Sequence, residues 1–343
     1  MKGLRMNTSK PHFTFLVNGE PLANRVVIVT GVNRSGTTLT GNLVGSLARV
    51  EYEFEPFLLT HLPILESEGL MDSRIASEML QSYANELLNS RILGRGVNMR
   101  SFDDTYIGNY LSEKELHYRW NDLITREDVI REVSQRQAIL GMKMANLLPF
   151  FGFINQTFPN GKILHIIRHP FDVALSVQKK RWFSNENLQF VAGVSLRKLD
   201  EKQKRWYPWW VNEKDIDQFF RYSELERALY CWQNLWENGF SAIDHFRLKE
   251  SKNYMEIYYE ELLEDPNKEM KEIARFLETE VTEKTQKLIS TIKREKLQAR
   301  AELDLSSVNS DLLVKVEKVM KRLGYSLSKL QRSKSVALKS NGE

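Results

Sequence analysis

Cysteine is almost missing from this chain. Cys231 is the only one in 343 residues, which excludes an intramolecular disulfide framework and a zinc site built on several thiolates. It stands in Ala228-Leu229-Tyr230-Cys231-Trp232, an apolar stretch that reads as core rather than as the setting of a nucleophile. Long apolar runs are missing too. About 18 consecutive apolar residues occur nowhere, so no spanning helix is expected, and Met1 to Phe15 lacks the apolar stretch of a signal peptide or anchor. The expectation is a reduced, cytoplasmic protein. Neither sign of charge is in real excess: 49 basic against 45 acidic residues leave a net charge of +4. That balance is too weak, and too little clustered, for a nucleic-acid partner. Much of the surplus sits near the C-terminal end, in Lys315, Lys318, Lys321, Arg322, Lys329, Arg332, Lys334 and Lys339, a solvated face or tail. Internal repeats and low-complexity linkers are absent as well.

What is present is a 42% hydrophobic content, enough for a substantial core, arranged in an alternating pattern. Arg25 to Thr30 is short, β-branched and ends at a glycine, as a buried strand does. Thr38 to Val50 follows with Leu39, Leu43, Val44 and Leu47 at helical spacing. Further strands are expected at Val50 to Phe54, Gly141 to Ala145, Lys162 to Ile167 and Tyr254 to Tyr258. Helices are expected over Leu147 to Phe158, Pro170 to Lys180, Glu224 to Leu248 and Asn267 to Leu277, with a mainly helical, polar stretch from Leu58 to Arg136. Strands separated by helices imply an α/β fold whose parallel sheet is covered on both faces. The chain divides into an N-terminal arm (1–24), a single domain (25–330) and a basic tail (331–343). Within the domain, residues 182–220 interrupt the rhythm with Trp182, Phe183, Trp206, Tyr207, Trp209, Trp210, Phe219 and Phe220 among many charges. That segment is expected to form a lid or acceptor wall beside a ligand site, although the same aromatics could pack an ordinary subdomain.

The first strand leads into Gly31-Val32-Asn33-Arg34-Ser35-Gly36-Thr37-Thr38. Glycines let such a loop turn tightly and bring backbone N–H groups close to an anion, and the following helix adds its positive end. The spacing of Gly31 and Gly36 matches a nucleoside-triphosphate loop, but Thr37 stands where that loop carries lysine. A kinase or ATPase needs the lysine at its β- and γ-phosphates, with magnesium. Here the cation is Arg34, before the glycine, and Ser35, Thr37 and Thr38 add hydroxyls. A nucleotide with a single 5′-phosphate suits this arrangement; a strand-to-helix turn that binds nothing is the alternative.

A second strand–turn–helix, Lys162 to Ser176, places Arg168 at the strand end and Ser176 about two turns into the helix. An arginine fork and a hydroxyl at the carboxyl end of the sheet suit a second phosphate. The alternative is a helix-start ion pair between Arg168 and Asp172.

Together these elements resemble the PAPS-dependent sulfotransferase superfamily, in particular its bacterial and tyrosylprotein-sulfotransferase-like branch. The family's 5′-phosphate loop ends in Lys/Arg-Ser-Gly-Thr-Thr, here Arg34 to Thr38. Its 3′-phosphate element carries arginine and, eight residues on, serine, here Arg168 and Ser176. Tyr258-Tyr259-Glu260-Glu261-Leu262-Leu263-Glu264-Asp265-Pro266 is similar to its Tyr-Glu-x-Leu…Asp-Pro segment, whose tyrosine, here Tyr259, lies near the adenine. Leu323-Gly324-Tyr325 looks like the closing helix of many bacterial members.

The resemblance implies a P-loop-kinase-like sheet, PAPS as donor, 3′,5′-ADP as product and no metal. It implies a catalytic glutamate after the second strand, which Glu55 matches by its distance from Arg34. Glu53 lies on the same face by alternation, and His61, in Thr60-His61-Leu62-Pro63, resembles the histidine motif of the cytosolic enzymes but follows the loop far sooner. Lys143 matches in part a Lys-x-Pro segment and could neutralise the transferring sulfuryl oxygens. The family's C-terminal basic loop has no clear match, leaving Arg294, Lys296 or Arg300 to complete the 3′-phosphate grip. His165, alternating within a buried strand, reads as a core histidine. The acceptor is a hydroxyl on a glycan, lipid, small natural product or peptide tyrosine. An ATP-dependent kinase and a non-catalytic nucleotide-binding protein are the readings from other classes.

Overall fold

The computed structural model describes residues 21–189, 196–292 and 305–326. Most of the expected arm, the expected tail, and Arg294, Lys296 and Arg300 lie outside the described residues, as do residues 190–195 of the expected lid.

Five strands form one parallel sheet in the order β2-β3-β1-β4-β7. These are β1 (Val26–Gly31), β2 (Val50–Phe54), β3 (Ile139–Lys143), β4 (Lys162–Ile167) and β7 (Tyr254–Tyr258). β1 and β4 are almost wholly apolar because both faces are covered, which is how a parallel strand reads. Val26 and Ile28 face one core with Leu140, Met142 and Ile163, while Val27 and Val29 face the other with Ile139, Leu164 and Ile166. β5 (Arg197–Asp200) and β6 (Arg205–Pro208) pair antiparallel as a separate ribbon, inside the segment expected as a lid.

The helices are α1 (Thr37–Gly45), α2 (Leu58–Ser67), α3 (Ser73–Ile92), α4 (Glu113–Asn121), α5 (Arg126–Arg136), α6 (Phe151–Thr157) and α7 (Pro170–Lys179). After them come α8 (Asn185–Gln189), α9 (Ile216–Arg221), α10 (Glu224–His245), α11 (Tyr259–Glu264), α12 (Pro266–Leu277), α13 (Glu283–Ser290) and α14 (Ser310–Arg322). α10 carries the fully buried Trp232 and Trp236 and packs against α6, α7 and α14. Its start is set by a reciprocal Ser223–Glu226 capping box. Cys231 is buried in α10, and burial raises its thiol pKa well above the usual value, consistent with a core residue. Among the described residues no helix is long and apolar enough to cross a membrane.

One buried ion pair ties the polar helical stretch to the sheet. Arg119 of α4 binds both carboxylate oxygens of Glu51 on β2, at 2.7 and 2.8 Å, and donates to the Arg91 carbonyl. Burial alone would raise the Glu51 pKa, but Arg119, then Arg136 and Arg91, outweigh it and hold it below its ordinary value.

Candidate functional site

The sheet brings the expected site residues to one edge. β1 lies between β3 and β4, so the connections leave the sheet in opposite directions there, and parallel sheets bind ligands in that crevice. Gly31 pairs in register with Ile166, and Phe54 with Lys143. The carboxyl ends of all five strands therefore each contribute: Glu55 follows β2, Lys143 ends β3, the glycine loop follows β1, Arg168 follows β4 and Tyr259 follows β7.

The loop needs its two glycines for different reasons. A Cβ on Gly31 would lie 2.4 Å from the Ile166 carbonyl oxygen, so only glycine lets β1 run this close to β4. Gly36 has φ +93°, and a Cβ there would meet the Tyr259 ring at 2.2 Å. Arg34 also takes a left-handed conformation, φ +67°. Its carbonyl accepts from Arg168 Nη1 at 3.0 Å, and its own Nε donates to Ser176 Oγ at 3.0 Å. The Arg168 guanidinium sits 4.4 Å above the Tyr259 ring. The three separate motifs are thus one contact chain: Gly36 on Tyr259, Tyr259 under Arg168, Arg168 on Arg34, and Arg34 on Ser176. Ser35 and Thr37 are buried and Thr38 is half-buried. Gly36 is the N-cap of α1 and offers no side-chain cap, so the first-turn amides are not taken by a capping side chain.

Glu55 departs from simple alternation. Glu51 and Glu53 point to the side of α3 and α4, where Glu53 Oε2 accepts from Arg91 Nε at 2.7 Å. Two residues on, Glu55 would fall on that same face. It leaves the strand at φ +51° instead, with its N–H held by the Lys143 carbonyl at 2.8 Å, and its Oε1 meets Lys143 Nζ at 2.5 Å. The expectation that Glu53 and Glu55 share a face is corrected on this point. Lys143 is only 3% exposed in its side chain, against 47% for Glu55. Burial lowers the Lys143 pKa, Arg34 adds to the effect, and the bond and charge of Glu55 act against it. The Lys143 ammonium also lies 4.5 Å from the centre of the Phe54 ring.

Glu55 and His61 both line a cavity of about 740 Å³ that reaches from Asn33 of the loop to Trp182, Trp209 and Trp210. The aromatic segment expected as an acceptor wall does line it. Trp182 joins the two regions, because the Arg34 guanidinium sits 5.3 Å over its ring. His165 is fully buried elsewhere in the sheet: its Nδ1 is 2.7 Å from the Tyr254 hydroxyl, its ring stacks on Trp236, and burial lowers its pKa to about 3.

Some participants carry no sequence signal that the motifs exposed. Asn146, at φ +65°, accepts from the Asn33 N–H at 2.9 Å and donates its own N–H to the Gly31 carbonyl at 2.8 Å, bracing the loop from the end of β3. The available hint was an asparagine, which tolerates positive φ, just past a strand. Glu260 accepts from the His169 N–H and from the Tyr325 hydroxyl, both at 2.9 Å. The Leu323-Gly324-Tyr325 close of α14 therefore seats against the turn that presents Arg168.

Residues 26–228, more than half of the chain, match the sulfotransferase family. None of the curated proteins matches the chain. Among solved structures, it is similar to the sulfotransferase domain of the Synechococcus PCC 7002 olefin synthase, at 15% identity over 88% of this chain and 95% of that one, with a TM-score of 0.48. The sulfotransferase domain from the curacin biosynthetic pathway gives 13% identity, 88% and 98% coverage and a TM-score of 0.49. The sulfotransferase from Alicyclobacillus acidocaldarius gives 14%, 89%, 98% and 0.41.

Proposed function

The chain belongs to the sulfotransferase family, and we propose that it moves a sulfuryl group from PAPS to an acceptor hydroxyl by in-line displacement, releasing 3′,5′-ADP. The observation that supports this reading best is the bond from Arg34 Nε to Ser176 Oγ, 3.0 Å long and spanning 142 positions. It ties a loop suited to a 5′-phosphate to an element suited to a second phosphate. A nucleoside triphosphate would concentrate its charge on the loop, where Thr37 replaces the lysine it requires. A 3′,5′-bisphosphate divides its charge between the two elements, and Arg34 and Arg168 divide likewise. The uncapped start of α1 suits the 5′-phosphate. Ser35, Thr37 and Thr38 line the same turn, and Tyr259 walls the donor side.

PAPS supplies a sulfuryl group already attached to a phosphate leaving group. Glu55 takes the proton of the acceptor hydroxyl at Oε2 while Oε1 stays with Lys143. Lys143 neutralises charge on the sulfuryl oxygens, and its burial makes that interaction stronger than it would be in water. Arg34 and Arg168 neutralise the leaving phosphate side and hold the nucleotide in line. His61, on the same cavity, is the alternative proton acceptor. No step in this scheme calls for a metal ion. The test is to incubate the protein with sulfur-labelled PAPS and a panel of hydroxyl acceptors without added metal. Label on an acceptor together with 3′,5′-ADP release supports the proposal; label remaining on PAPS with every acceptor contradicts it.

A further inference from the structure

We infer that the acceptor is a small, flat hydroxyl compound that also bears an acidic group, which Lys180 and Arg197 bind on the aromatic wall of the cavity. The inference rests on the sulfuryl-transfer reading above and names the substrate class of that same site.

Size comes first. A cavity of about 740 Å³ has the volume of a small-molecule site. Its aromatic lining is open: Phe57 is 42% and Trp182 40% exposed. Exposed aromatic faces in a cavity lining suit a planar apolar body.

Charge decides the rest. Among the described residues Glu55 is the only carboxylate lining the cavity, and Lys143 already balances it at 2.5 Å. The remaining full charges of the lining are Lys180 and Arg197. Among the described residues neither has a carboxylate within ion-pair distance, and residues 190–195, which precede β5, contain no acidic residue. Three neighbouring cations that do not line the cavity are paired with carboxylates. Arg181 meets Glu186 at 2.8 Å, Lys198 meets Glu68 at 2.6 Å and Arg205 meets Asp200 at 2.9 Å. Arg197 Nη1 donates to the carbonyls of Asn187, at 3.1 Å, and Leu188. These bonds aim the guanidinium without neutralising it, and burial acts against its charge. Arg197 is half-buried, and such a cation without a counter-charge is unfavourable until an anion joins it. Lys180 is exposed and adds a second positive charge to the same lining. A carboxylate, sulfonate or phosphate on the acceptor would be that anion, and the guanidinium fork suits any of them.

Lys180 follows Ser176 by one turn of helix, so a donor phosphate is the rival occupant. The experiment separates the two. 3′,5′-ADP is titrated first by calorimetry; no binding there defeats the underlying functional reading and is seen before any acceptor is added. With 3′,5′-ADP saturating, the protein is titrated with 6-hydroxy-2-naphthoate, 2-naphthol and 6-(aminomethyl)-2-naphthol. The naphthoate is expected to bind about tenfold or more tighter than the other two. Lys180→Gln and Arg197→Gln should each shrink that preference about threefold or more while leaving 3′,5′-ADP affinity unchanged. Binding of the neutral or cationic compound as tight as the naphthoate, including binding of none of the three, overturns the inference. So does a Lys180→Gln variant that loses affinity for 3′,5′-ADP as much as for the naphthoate.

Discussion

Lys143 Nζ lies 2.5 Å from Glu55 Oε1, one side chain nearly sealed from water and the other half open to the cavity. The pair exists because Glu55 turns out of β2 through a left-handed backbone conformation, φ +51°, and so leaves the face that Glu51 and Glu53 share. A carboxylate held on one oxygen by a buried ammonium is oriented for proton transfer at its other oxygen. Glu55→Gln should therefore lower kcat by about a hundredfold or more, the range for loss of a general base, while 3′,5′-ADP affinity stays the same. Steady-state kinetics with calorimetry checks this, and near-normal turnover would move the role to His61.

Gly36 carries both a backbone and a packing requirement. Gly36→Ala places a Cβ 2.2 Å from the Tyr259 ring at φ +93°, and is expected to weaken 3′,5′-ADP binding at least about tenfold. Gly69 is the control. It also has positive φ, +69°, but nothing lies within 4 Å of its Cβ position, so Gly69→Ala should cost only about 1 kcal/mol of stability and leave nucleotide affinity unchanged. Thermal unfolding and calorimetry on the two variants separate strain from collision. Equal nucleotide affinity in both would refute the packing argument.

Arg168 touches the Arg34 carbonyl and the face of Tyr259 at once. Arg168→Ala is expected to raise the donor KM by about tenfold or more, because a charge-assisted contact and a loop support go together. Arg168→Lys should not restore it, since a point charge reproduces neither the fork nor the stacking. Donor KM values for the two variants decide this, and recovery in the lysine variant would reduce Arg168 to its charge.

His165 supplies a pH dependence of stability. Burial lowers its folded pKa to about 3 from 6.5. The folded protein keeps the ring neutral, whereas the unfolded chain binds a proton below pH 6.5, so the unfolded state gains protons as pH falls. This contribution is fully present above pH 6.5 and is lost progressively as pH falls from 6.5 towards 3, by up to about 1.4 kcal/mol per pH unit. Denaturant midpoints measured across that window should fall more steeply in the wild type than in His165→Phe. Parallel curves would show that His165 is not the group responsible.

Much of this was legible in the sequence because it rests on local rules. β2, β4 and β7 fall where their β-branched and aromatic runs place them, and the glycine loop announces itself by spacing. What stayed hidden depends on contacts between distant segments. Alternation puts Glu53 and Glu55 on one face, and only the positive φ of Glu55 separates them. β3 begins two residues before the expected Gly141, because Ile139 and Leu140 pair with the starts of β2 and β1. The β5–β6 ribbon inside the expected lid or acceptor wall has no sequence signal, since two strands of four residues rich in charge carry no clear alternation. Asn146 bonds Asn33 across 113 positions, a distance that no spacing rule spans. Which cations face the cavity without a carboxylate is likewise a property of packing alone.

In the proposed function the loop and the Arg168–Ser176 element hold one nucleotide phosphorylated at both 5′ and 3′. Calorimetric titration of 3′,5′-ADP and of ATP into the same protein, without magnesium, tests it most directly. 3′,5′-ADP is expected to bind at least about tenfold more tightly than ATP. Tight ATP binding with no response to the bisphosphate would contradict it.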